Sequence, residues 1–110
     1  MTLDFDRMPS LVQPRFKGGQ GEAETRIFQD DMGKILRLTL QPGSSIGLHT
    51  HEDSCEIMYF LSGTGMCLDD GAEVPVYPGL CHYCPQGRSH SVVNTGTEPL
   101  VILGIVPNAK

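Results

Sequence analysis

The chain has 110 residues, enough for one compact domain and too few for two of ordinary size. Its formal charge is −5, and its eight lysines and arginines are scattered from Arg7 to Lys110, so neither a nucleic acid nor an anionic membrane is an expected partner. No apolar run approaches the roughly 20 residues that span a bilayer, and the first ten residues carry Asp4 and Asp6 where a secretion signal needs basic and then apolar character. A cytoplasmic protein with reduced thiols is the expectation.

Residues 1–23 show no periodicity and read as an N-terminal arm and lead-in loop. The glycines of Lys17-Gly18-Gly19-Gln20-Gly21 suit turns, because no helix follows them to complete a phosphate site. Residues 24–110 read as one all-β domain. In 35–40, Leu36, Leu38 and Leu40 share a face, and Pro42-Gly43 closes the strand with a turn. The run 56–61 follows and stops at Ser62-Gly63. If Glu56 faces inward, parity sends Met58 and Phe60 inward as an apolar floor, with Ile57, Tyr59 and Leu61 outward. That outer set is itself apolar, which asks for a second layer or a partner chain, so a homodimer is expected. Segments 66–68 and 74–77 flank Asp69-Asp70-Gly71, whose Asp-Gly pair suits a tight hairpin turn. Segments 80–84, 90–94 and 100–106 supply the last strands. Within 80–84, Cys81 and Cys84 fall on opposite faces, as do His82 and Tyr83, so the C-x-x-C reads as inert thiols rather than a metal or redox pair. Short strands at this spacing indicate a sandwich or barrel.

Three of the four histidines lie in two short windows. His49 and His51, two apart, point to one side of a strand at roughly 6–7 Å along the backbone. Glu56 can re-enter the same face after the polar loop 52–55, and closure of a barrel can bring His90 opposite. An isolated H-x-H also occurs as surface or core histidines, so spacing leaves ligation open. Three imidazoles with one carboxylate would suit manganese, iron, cobalt, nickel, copper or zinc and leave coordination positions for a ligand.

Residues 43–63 read Gly43-x5-His49-x-His51-x4-Glu56-x6-Gly63. Residues 79–94 read Gly79-x5-Pro85-x-Gly87-x2-His90-x3-Asn94. Both resemble the two cupin motifs at every specified position, a coincidence expected by chance roughly once in 10^13 registers at residue usages near 5%. The resemblance implies a cupin double-stranded β-helix (jelly-roll) barrel with His49, His51, Glu56 and His90 as ligands of one divalent transition-metal ion near one mouth. The chain is most similar to small one-domain bacterial cupins of the oxalate-decarboxylase-like kind, through the run Pro-Gly-Ser-Ser-Ile-Gly-Leu-His at 42–49. It departs from the large two-domain oxalate decarboxylases, in which an arginine three residues before the first ligand histidine handles the carboxylate. Here that position is Ile46.

The expected function is metal-dependent action on, or binding of, a small carboxylic or sugar acid. Decarboxylase, isomerase and dioxygenase chemistry all fit an enzyme, and a non-catalytic binding or sensor module is the alternative. Arg88, the one cation within either motif, together with Met58 and Phe60, is the expected substrate contact. No general acid or base is assigned, since only His82 and Tyr83 lie close in sequence.

Overall fold

The computed structural model describes residues 1–108. Ten strands make two antiparallel sheets: β1 (Leu11–Pro14), β2 (Glu22–Asp30), β3 (Gly33–Leu40), β4 (Ser45–Thr50), β5 (Glu56–Ser62), β6 (Gly65–Asp69), β7 (Ala72–Val76), β8 (Cys81–Cys84), β9 (Ser89–Val93) and β10 (Leu100–Pro107). One sheet runs β1-β2-β3-β10-β5-β8 and the other β4-β9-β6-β7. Their inner faces pack into a single core, so the chain is the all-β jelly-roll barrel that the motifs imply. Among the described residues no helix is long and apolar enough to cross a membrane.

Alternation carries the core. Leu36, Leu38 and Leu40 of β3 are buried, as are Leu100 and Ile102 of β10 and Met58 and Phe60 of β5. Register aligns them as Leu40 with Leu100 and Leu38 with Ile102. Each such side chain contributes about 1.5–3 kcal/mol on burial, so these three strands form a stable wall that carries Glu56 and faces the histidines of the other sheet. The outward set on β5 is as parity requires, with Tyr59 and Leu61 exposed. At the β6–β7 turn, Asp70 and Gly71 both take positive φ, 50° and 94°, the requirement that favours Asp-Gly there.

Strand β2 is not evident from the sequence, because its inward positions Ala23 and Thr25 are only weakly apolar and Ile27 sits beside the outward, equally apolar Phe28, which masks the alternation. The N-terminal segment is used within the chain. Its strand β1 pairs with β2, and a single helical turn at Phe5–Arg7 lies over the outer face. There Arg26 Nη1 donates to the carbonyls of Phe5 and Asp6, and Arg37 pairs with Asp6 at 2.8 Å.

A second stretch of the same segment, Phe16–Gly18, crosses β4 as a strap. Hydrogen bonds to Gln20, just beyond it, hold it there, Ser45 N donating to Gln20 O and Gln20 N to the side-chain Oγ of Ser45. The crossing is close because two glycines meet there. A Cβ on Gly47 would lie 2.1 Å from Lys17 O, and one on Gly19 would lie 2.2 Å from Ser45 O.

Candidate metal centre

Strand β4 and the residue just after it deliver two of the four candidate ligands through a bulge. Its pairing with β9 matches Ile46 to Val92 but His49 to His90, so β4 spends one more residue than its partner over Gly47 and Leu48. Inward parity therefore changes from even to odd. Ser44 and Ile46 face in before the bulge, Leu48 is thrown out at 63% exposure, and His49 and His51 then join the inner face. Glu56 opens β5 in phase with Met58 and Phe60, and His90 is fully buried on β9. The turn after β8 sets His51, whose carbonyl accepts from Gly87 N and whose N–H donates to Arg88 O. Gly87 makes that turn with φ of 86°.

The four donors converge within 4.8 Å of one another. His51 Nε2 lies 2.9 Å from Glu56 Oε1 and 3.0 Å from His90 Nε2. His90 Nε2 lies 3.2 Å from His49 Nε2 and 3.0 Å from Glu56 Oε1. Bonds of about 2.1 Å from an ion to imidazole nitrogen or carboxylate oxygen put neighbouring ligands about 3 Å apart, so this donor set fits a first-row divalent ion. Proton positions point the same way. His49 Nδ1 lies 2.8 Å from Gly47 O, which can only accept, so in the neutral ring the lone pair is on Nε2. Nitrogen lone pairs and a carboxylate facing one another at these distances repel unless a cation or shared protons sit among them.

Surrounding residues tune the four. Burial pushes the Glu56 carboxyl up, but hydrogen bonds from His51 and His90 and the positive charge those rings carry when protonated outweigh it and bring it down to about 2; a cation bound among the four donors would take the place of those protons. Burial holds His49 below its ordinary value and so favours the neutral, ligating ring. His82, placed inward by β8 while Tyr83 faces out, stacks on His90 with its Nε2 3.0 Å from His90 Nδ1. For His90 to ligate through Nε2, its Nδ1 must donate to His82, so His82 fixes the tautomer. Gly104, inward on β10, leaves room that a side chain would close, since a Cβ there would lie 3.1 Å from Leu36 and 3.2 Å from Glu56 Oε2. Only Cys67 among the thiols touches this chemistry, its Sγ lying 3.7 Å from His82 Nε2. All four cysteines are free, and burial pushes Cys67 up to about 12 and Cys84 up to about 11.

A cavity of about 40 Å³ adjoins the donors. Its walls include Phe16 of the strap, Leu36, Leu38, Ile46, Met58 and Val106, and Glu56, His49 and His51 lie along it. Met58 lines it as parity suggests. Phe60, two residues further along β5, is fully buried in the core and does not. Arg88 does not line it either, because its Nε pairs with Asp70 Oδ2 at 2.9 Å on the β6–β7 side. The cations that do line it are Lys34 and Lys17. Lys34 was legible, since it shares the parity of Leu36, Leu38 and Leu40. Nothing in the sequence signals Lys17, which reaches the cavity only because the strap crosses β4.

The family model described as a cupin domain matches residues 36–106. The chain belongs to the cupin family. This cupin is 38% identical over 96 residues to the oxalate-binding protein of Thermotoga maritima, covering 82% of this chain and 79% of that one. It is 41% identical over 103 residues to the glucose-6-phosphate isomerase of Thermococcus gammatolerans, covering 89% of this chain but 52% of the isomerase, so it spans about half of that protein. Among solved structures, a predicted oxalate decarboxylase from Thermotoga maritima matches with a TM-score of 0.93 at 32% identity, covering 98% of this chain and 99% of that one.

Proposed function

We propose that this cupin captures a small carboxylic acid at one divalent ion held by His49, His51, Glu56 and His90. The observation that carries the reading is the four-donor cluster beside a cavity of about 40 Å³. At the 10–15 Å³ or so that one water requires, that space holds about three or four waters, which suits an acid of oxalate size far better than a hexose phosphate. The oxalate-binding relative supports the same choice. When bound, the ion supplies Lewis acidity toward a carboxylate or carbonyl oxygen. Met58, Leu36 and Leu38 exclude water from the carbon skeleton, and His82 keeps His90 in its ligating tautomer. Capture is favoured over turnover because Tyr83 faces the outside and His82 stands behind His90, so neither meets a bound acid as general acid or base.

Oxalate in about 100-fold excess over its Kd adds about 2.7 kcal/mol of stability. For a domain of this size that raises Tm by on the order of 10 °C. The rise is expected in metal-replete protein and absent after chelation, with the acid recovered unchanged. No shift with oxalate or related small acids would overturn the reading, and conversion of the acid would make the protein an enzyme.

The outer sheet face supports a homodimer. Register aligns Phe28, Ile35, Ile105, Ile57 and Tyr83 in one row across five strands. The N-terminal turn contacts the neighbouring Arg26 and Arg37, so the apolar portion on β10, β5 and β8 is left for a second copy through a self-complementary contact. Sedimentation at micromolar concentration is expected to give a dimer, and Ile105→Lys a monomer. A monomeric parent protein would refute it.

A further inference from the structure

The charge lining the cavity runs against the charge of the whole chain. The protein carries a formal −5, yet two lysines line this small space, and its one carboxylate, Glu56, is already engaged by His51 and His90. Lys34 comes from the inward file of β3, half-buried beside Leu36, and among the described residues neither lysine makes an ion pair. Lys17 comes from the strap on the other side of the sequence, held at φ of 54° with its Nζ 5.7 Å from the Phe16 ring. Lys34 is half-buried and Lys17 exposed, so the cost of holding an uncompensated ammonium away from water falls on Lys34, and an anion entering beside it relieves that cost. The apolar walls strengthen that attraction by lowering the local dielectric.

We infer that Lys34, assisted by Lys17, is the specificity-determining contact for the second anionic group of the ligand, so that the site selects small dianions over monoanions and neutral molecules. The inference rests on capture of a small acid at the metal centre, and it assigns to these lysines the contact that the sequence suggests for Arg88. One anionic end reaches the ion. The other meets the Lys34 ammonium, while the exposed Lys17 of the strap adds a second positive charge at the cavity.

Calorimetric titration of metal-replete protein with malonate and oxalate as dianions, and acetate as a monoanion, tests this in the parent and in Lys34→Met, Lys34→Arg, Lys17→Met and Arg88→Ala. Lys34→Met keeps the length and removes the charge. It is expected to weaken malonate about 10-fold or more, the fold-change of a charge-assisted contact, with acetate changed much less and metal content unchanged. Lys34→Arg is expected to restore most of the affinity, Lys17→Met to lose less than Lys34→Met, and Arg88→Ala to bind like the parent. Equal malonate affinity in the parent and Lys34→Met overturns the inference while leaving acid capture intact. Loss of affinity in Arg88→Ala alone, or loss of metal in Lys34→Met, overturns it too. No binding of any acid by the parent sinks the functional reading and this inference with it.

Discussion

His51→Ala, purified without added metal, is expected to lose its ion, with metal affinity down by more than about 100-fold, the upper figure for removing a residue that only supports a ligand. His51 is the informative position because its Nε2 stands 2.9 Å from Glu56 and 3.0 Å from His90, so deleting it opens one side of the cluster. It also sits at the rim, half-buried just past β4, and its backbone bonds to Gly87 and Arg88 survive the substitution. The variant therefore keeps its fold, which circular dichroism checks, while elemental analysis reads the metal. Glu56→Gln is expected to be less severe, since the amide keeps one neutral oxygen donor but loses the charge. A full equivalent of metal in His51→Ala would mean that the four residues are not the ligand set.

Gly47→Ala carries the second large effect, and it acts on architecture rather than ligation. The new Cβ would lie 2.1 Å from Lys17 O, 2.7 Å from Gly18 C and 2.7 Å from Gly19 N, all backbone atoms that cannot rotate away. Either the strap lifts or the bulge flattens. Overpacking of this kind costs about 1–3 kcal/mol, which for a domain of this size lowers Tm by roughly 5–20 °C. Lifting the strap also frees Arg15 and Lys17, so faster tryptic cleavage at those two residues is the accompanying readout. Unchanged Tm and unchanged cleavage would show that the strap is not held against β4 at this point.

The readable part of this protein is what local chemistry controls. Period-two alternation places Leu36, Leu38 and Leu40, and separately Met58 and Phe60, on the inner face, because successive side chains of a strand have no other choice. Asp70-Gly71 announces its turn through a requirement for positive φ that few other pairs meet. The motif spacings nominate His49, His51, Glu56 and His90, and these four do converge. Opposite facing of His82 and Tyr83 follows from the same parity, but which of them points inward does not, since the turn at Pro85 breaks the count.

Three features depended on distant segments meeting. The β4 bulge is one, for strict alternation from Ile46 would have turned Leu48 inward and both histidines out, and only the pairing with β9 reveals the extra residue. The strap is another, because the patternless segment around Phe16–Gly18 gains its place from the close approach of Gly19 and Gly47, a contact between residues 28 apart that no local propensity encodes. The last is the choice of cation. Arg88 and Lys34 are equally cationic in the sequence, and only the folded chain gives the arginine to Asp70 and leaves the lysine beside the cavity. Backbone geometry acts over a few residues and can be read in order, whereas which charge finds which partner is set by the three-dimensional packing of strands far apart in the chain.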